Sequence, residues 1–112
     1  MTIIDVSQEE LDARAGVINN SGSFSYPLYI TRNVPLASVG DLVLIENSGY
    51  YVLTNIKTFE NRRDVALSSW RKEGYESVEE MNIDLLIKYV GSSVLYQHKF
   101  EKVNVTCPEL ID

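Results

Sequence analysis

Residues 70–103, WRKEGYESVEEMNIDLLIKYVGSSVLYQHKFEKV, constrain the fold of this chain more than any other stretch. Ser77 followed by Glu80 forms a capping box, in which each side chain accepts from an otherwise unpaired amide at a helix start. Val78, Met81, Leu85 and Tyr89 then recur at three- and four-residue spacing and so share one helical face, which Leu86 widens. Asp84 and Lys88 lie four apart on the solvent side and are placed to pair. Gly91 stands where a left-handed C-terminal cap belongs. After it, Val94 to Phe100 alternates as a half-buried strand does. A capped helix with one apolar face, followed at once by a strand, needs a sheet to pack on.

The rest of the chain supplies one. Thr2 to Val6 is a short β-rich run, and Ser7 with Glu10 is a second capping box, opening a helix through about Ala15 with Gly16 as its stop. Residues 19–25, NNSGSFS, are turn chemistry. Tyr26 to Arg32 reads as a strand with Pro27 at its start or on an edge. Leu42 to Glu46 and Tyr50 to Ile56 are strands joined by Asn47-Ser48-Gly49, a strong hairpin signal. Thr58 to Asp64 is a loop or a widened strand end, and Val65 to Lys72 is helical, stopping at Gly74. Five or six strands with two or three helices, dominated by hairpins and lacking βαβ alternation, make the class α+β. Strands of this number and length can close into a small barrel, which removes their exposed edges.

At 112 residues the chain is expected to form a single domain over 1–112, with 1–23 as an N-terminal strand, helix and loop and 106–112 as a loose tail. No apolar run approaches a membrane span, and the N-terminus MTIIDVSQEE lacks the basic and apolar regions of a signal peptide, so the expected location is the cytoplasm. The single cysteine, Cys107, cannot close a disulfide within the chain, and no residue pattern suggests a metal or a cofactor.

The net charge of −6 argues against an unaided grip on a phosphate backbone. Its distribution is uneven. Residues 57–72 hold Lys57, Arg62, Arg63, Arg71 and Lys72 against Glu60 and Asp64, a balance of +3, whereas 73–84 hold Glu73, Glu76, Glu79, Glu80 and Asp84 with no base, a balance of −5. The two blocks could steer an anion to one place, or be solvated faces of a soluble protein.

Several pieces then fall into a familiar order. Arg32 ends a strand and is followed by Val39-Gly40-Asp41-Leu42-Val43; Glu73-Gly74-Tyr75, the capped helix and Phe100-Glu101 come next. Over residues 24–103 this order resembles an ASCH domain (activating signal cointegrator homology), a member of the PUA-like superfold. The resemblance implies a small mixed β-barrel and an association with RNA binding or RNA modification. One bacterial branch of that family hydrolyses an N4-acetylated cytidine with a lysine, a threonine and a glutamate. Its motif is G-x-K-x-x-x-x-R. Anchored on Arg32, the motif puts Ser25 at the glycine, Pro27 at the lysine and Ile30 at the threonine, while Glu73 matches the glutamate. Amide hydrolysis needs a nucleophile or activated water and a base within reach, and proline and isoleucine supply neither. Thr31 lies one position from the threonine, which on a regular strand turns it to the opposite face.

Each candidate residue carries two readings. Arg32 is a fork of donors for a phosphate or carboxylate, or one half of an ion pair. Glu73 is a general base or a cap for a ligand amine, or one of five acids on a solvated face. Tyr26, Tyr29, Trp70 and Tyr75 fall near the pocket segments and suit base stacking, although core packing is the commoner fate of an aromatic. Tyr50 and Tyr51 are adjacent on a strand, one facing in and one out. His98, alternating with Tyr96 and Phe100, reads as a satisfied structural histidine.

Three functions remain open at this point. The first is a binding module for RNA or a modified nucleoside, without catalysis of its own. In it Arg32 and Thr31 meet the ligand, Trp70, Tyr75 or Tyr26 stack, Lys57 assists, and Arg62 and Arg63 touch the backbone. The second is an acidic module that occupies a partner protein's basic surface. The third is a divergent nucleoside or nucleotide amidohydrolase with Glu73 as base and Ser23, Thr31 or Lys57 as helper.

Overall fold

The computed structural model describes residues 2–21 and 27–103, with only the backbone described for 16–21. The elements run β1 (Thr2–Ile4), α1 (Gln8–Ser21), β2 (Leu28–Arg32), β3 (Leu42–Ile45), β4 (Gly49–Phe59), α2 (Arg62–Ser69), α3 (Val78–Lys88) and β5 (Leu95–Lys102). Five strands form one sheet in the order β1-β3-β4-β5-β2, parallel between β1 and β3 and antiparallel elsewhere. The class is α+β, as the sequence indicates.

The local signals hold where the physics is local. Asn47 (φ 64°) and Gly49 (φ 116°) turn the β3–β4 hairpin in the left-handed region. Ser77 accepts from the Glu80 amide at the start of α3, and Gly91 takes φ 83° beyond its end. Met81 and Leu85 are buried, with Val78 and Tyr89 packed beside them. Leu86 does not widen that face, because it points to solvent and is 43% exposed. Lys88 pairs with Asp84 at 3.0 Å.

The sheet has an apolar core on each face. One face carries Ile4, Leu28, Ile30, Val43, Ile45, Tyr51, Leu53 and Phe100. The other carries Phe59 and Leu95, covered by Val65 and Ala66 of α2 and by Met81 and Leu85 of α3. A register shift between Leu53 and Asn55 lets β4 serve both. Odd-numbered Tyr51 and Leu53 lie in the first core, and beyond the bulge Ile56 takes that side while Phe59 faces the second.

Three expectations are corrected. Gly16 does not stop α1, which continues to Ser21. The helix expected from Val65 begins earlier, at Arg62, because Asn61 caps it by accepting from the Arg63 amide, and β4 extends to Phe59. Among the described residues the sheet is open, not a closed barrel, with β1 and β2 as its edges. The reason is visible on β2. Its outward Tyr29 carbonyl accepts from Arg14 Nε at 2.6 Å, and its outward Thr31 amide donates to Glu73 Oε1 at 3.2 Å. Side chains satisfy the edge that a closing strand would use.

Candidate functional site

Glu73 lies in the turn after α2 and is only 3% exposed. The reading of it as a solvated acid is therefore corrected. Four donors converge on its carboxylate: at Oε1, Arg14 Nη2 (3.0 Å) and the Thr31 amide (3.2 Å); at Oε2, the Thr31 hydroxyl (2.6 Å) and Gln97 Nε2 (3.0 Å). A carboxylate has about four lone-pair positions, so its accepting capacity is filled. Thr31 and Gln97 are register partners on β2 and β5 and share a face. The strand does not bulge, and Ile30 lies in the first core at 0% exposure. Thr31, one position after the buried Ile30, is the residue that meets Glu73.

Gly74 fixes how α1 approaches. Its φ is +84°, and a Cβ there would stand 2.6 Å from the carbonyl carbon and oxygen of Ala13. Only glycine lets the helix come this close. The contact brings Arg14 over Glu73, and Arg14 Nη1 also donates to the Glu10 carbonyl at 2.9 Å.

Arg32 is held by Glu10 in a two-pronged pair, Nη1 to Oε2 and Nη2 to Oε1, both 3.0 Å. Burial alone would raise the Glu10 carboxyl, but the Arg32 bonds and charge, with Arg14 beside them, hold it below its ordinary value. Tyr75 donates its hydroxyl to Asp84. Burial first, and then the bond to and charge of Asp84, push that phenol well above its ordinary range.

These groups surround a cleft of about 270 Å³ between α1 and α3. Glu73, Gly74, Tyr75, Ala13 and Arg14 line it together with Ser7, Glu9, Glu10, Glu80, Asp84 and Lys88. Five carboxylates thus face two bases. Among the described residues no three histidine, cysteine or acidic side chains are grouped to hold a metal.

The sequence-nominated residues separate into groups. Glu73 and Tyr75 line the cleft, Thr31 lies behind Glu73, and Arg32 reaches the cleft only through Glu10. Lys57 sits over the Phe59 ring at 5.0 Å, and Trp70 packs on the second core with Arg71 over it at 4.7 Å. Arg62 bonds Asn82 at 3.1 Å beside a separate recess, and Arg63 is exposed on α2. Tyr26, Ser23, Ser25 and Cys107, and the tail 106–112, lie outside the described residues.

His98 is structural. It stacks on Phe100, its Nε2 accepts from the Leu36 amide at 3.0 Å, and Nδ1 meets the Ile30 carbonyl at 3.0 Å. That network assigns the neutral ring with its proton on Nδ1. Burial lowers its pKa.

Arg14 and Gln97 were missed by sequence reasoning. Both carried a faint signal. Arg14 follows Leu11 by three positions on a helix, and Gln97 alternates with Leu95 on a strand, so each is a polar residue at an inward position.

Compared with known proteins, the chain is similar to a solved structure in fold. No family model and no curated protein matches it. The solved structure titled "Crystal structure of hypothetical protein PH0355" superposes with a TM-score of 0.62 at 12% identity, covering 89% of this chain and 97% of that one. The likeness is one of fold. Among the described residues no helix is long and apolar enough to cross a membrane.

Proposed function

We propose that this chain is a divergent ASCH-type, PUA-like domain that binds a nucleoside carrying an exocyclic amino group and does not turn it over. The observation that carries this reading is the cleft between α1 and α3, walled by carboxylates and floored by Glu73 and Gly74. Supporting the family is the Thr31–Glu73 contact at 2.6 Å, which pairs a strand threonine with the glutamate of a Glu-Gly-Tyr turn.

The size and charge of the cleft select the ligand. About 270 Å³ is at the small end for ligand pockets and suits a base or nucleoside rather than a strand. Carboxylates repel phosphate but accept from amino groups, as acids do from the N4 amine of cytosine. Glu9 and Glu80 would take that edge, because Asp84 already accepts from Tyr75 and pairs with Lys88. Glu10 and Glu73 are already committed to arginines, so they position the walls. The filled acceptor set of Glu73 leaves it no open position for a substrate proton, which favours binding over hydrolysis.

Calorimetric titration with cytidine, adenosine, uridine and a short single-stranded RNA tests this. Cytidine or adenosine should bind at least about tenfold tighter than uridine, the worth of one hydrogen bond to a charged group. The affinity should change little with salt, because no phosphate is held. Glu80→Gln, at a cleft carboxylate on the exposed first turn of α3, should reduce the preference. Equal affinity for cytidine and uridine, or tighter salt-sensitive binding of the RNA, would rule it out.

A further inference from the structure

A second surface lies outside the cleft and stands independently of the nucleoside reading. On α3, Ile83 (55% exposed), Leu86 (43%) and Ile87 (70%) continue into Val90 (76%) just beyond its end. Their spacing of three and four residues makes one continuous apolar stripe on the side opposite buried Met81 and Leu85. A cluster of large aliphatics at this exposure marks an interaction surface. The stripe has a polar end. Glu76 and Glu79, neither of which lines the cleft, are exposed at the start of the helix, and no base lies among residues 73–84.

From this we infer that the exposed face of α3 docks a partner protein's amphipathic helix whose apolar stripe ends in a cluster of lysines or arginines. The aliphatics supply burial, and the carboxylate end supplies orientation and encounter rate. A second copy of this chain fits worse. The stripe of a second copy, Ile83, Leu86, Ile87 and Val90, carries no cation to meet Glu76 and Glu79. Each copy also carries −6. An anionic lipid surface is repelled by the same carboxylates.

The test uses the full chain and labelled synthetic helical peptides about five turns long. All share one leucine stripe, which ends in lysines, in glutamates, or is scrambled. Fluorescence anisotropy should show the lysine-ended peptide saturating at least about tenfold tighter than the glutamate-ended one, and weakening with salt. Ile87→Ser, at a side chain already in water, should leave the melting curve unchanged yet weaken that peptide about tenfold or more. Absence of saturation, equal binding of the scrambled peptide, or indifference to Ile87→Ser would overturn the inference. So would a dimer in sedimentation that Ile87→Ser abolishes, which would assign the face to a second copy.

Discussion

Thr31 gives Glu73 two hydrogen bonds, one from its hydroxyl to Oε2 at 2.6 Å and one from its amide to Oε1 at 3.2 Å. One strand residue thereby supplies half of the donors around a buried carboxylate 42 positions away. Arg14 and Gln97 supply the rest, so α1, β2, β5 and the turn after α2 meet at a single side chain.

Removing that side chain should be costly. Glu73→Ala leaves the Arg14 guanidinium buried beside Thr31 and Gln97 without its counter-charge, and should destabilise the fold by about 3–5 kcal/mol. The pair Arg14→Met with Glu73→Leu should cost much less than the sum of the two single changes, because it removes both charges together. Urea unfolding of the four proteins measures this.

Gly74 and Gly40 make a matched test of close approach. Both have positive φ, but a Cβ at Gly40 meets nothing within 4 Å, whereas at Gly74 it would strike the Ala13 backbone. Gly40→Ala should cost about 1–2 kcal/mol from the left-handed backbone alone. Gly74→Ala should cost clearly more and loosen α1, read as faster amide exchange around Ala13.

Stability should fall in two stages on acidification. Neutral His98 is buried, so its folded pKa lies below the ordinary 6.5. As pH drops below about 6.5 the unfolded chain takes up that proton first, and stability declines until the folded pKa is passed. Glu10 is also depressed in the fold, from an ordinary 4.5. Its contribution is complete above that value and is lost as pH falls through the lower folded pKa. His98→Gln should remove the first stage and Glu10→Gln the second, measured by urea midpoints from pH 8 to pH 3.

What the sequence disclosed follows from how far each interaction reaches. The capped helix from Ser77, the Asn47–Gly49 hairpin and the Asp84–Lys88 pair depend on neighbours within a few residues, and each leaves a periodic or turn signature. His98 was legible because its alternation with Phe100 placed it inward. Glu73 was not, because its partners lie 24, 42 and 59 positions away and no local pattern separates a buried acid from its exposed neighbours. Arg32 was legible as one half of an ion pair, but its partner Glu10 read only as part of a capping box. Sheet closure depends on whether β1 meets β2, and side chains from α1 and the Glu73 turn decide that.

The most direct measurement is an amide NMR titration of the full chain with cytidine. Saturable shifts confined to the cleft, at Ala13, Arg14, Gly74, Tyr75 and Asp84, are expected. Shifts gathered instead at Lys57, Arg62 and Arg63, or no saturable shift at any concentration, would contradict the nucleoside reading.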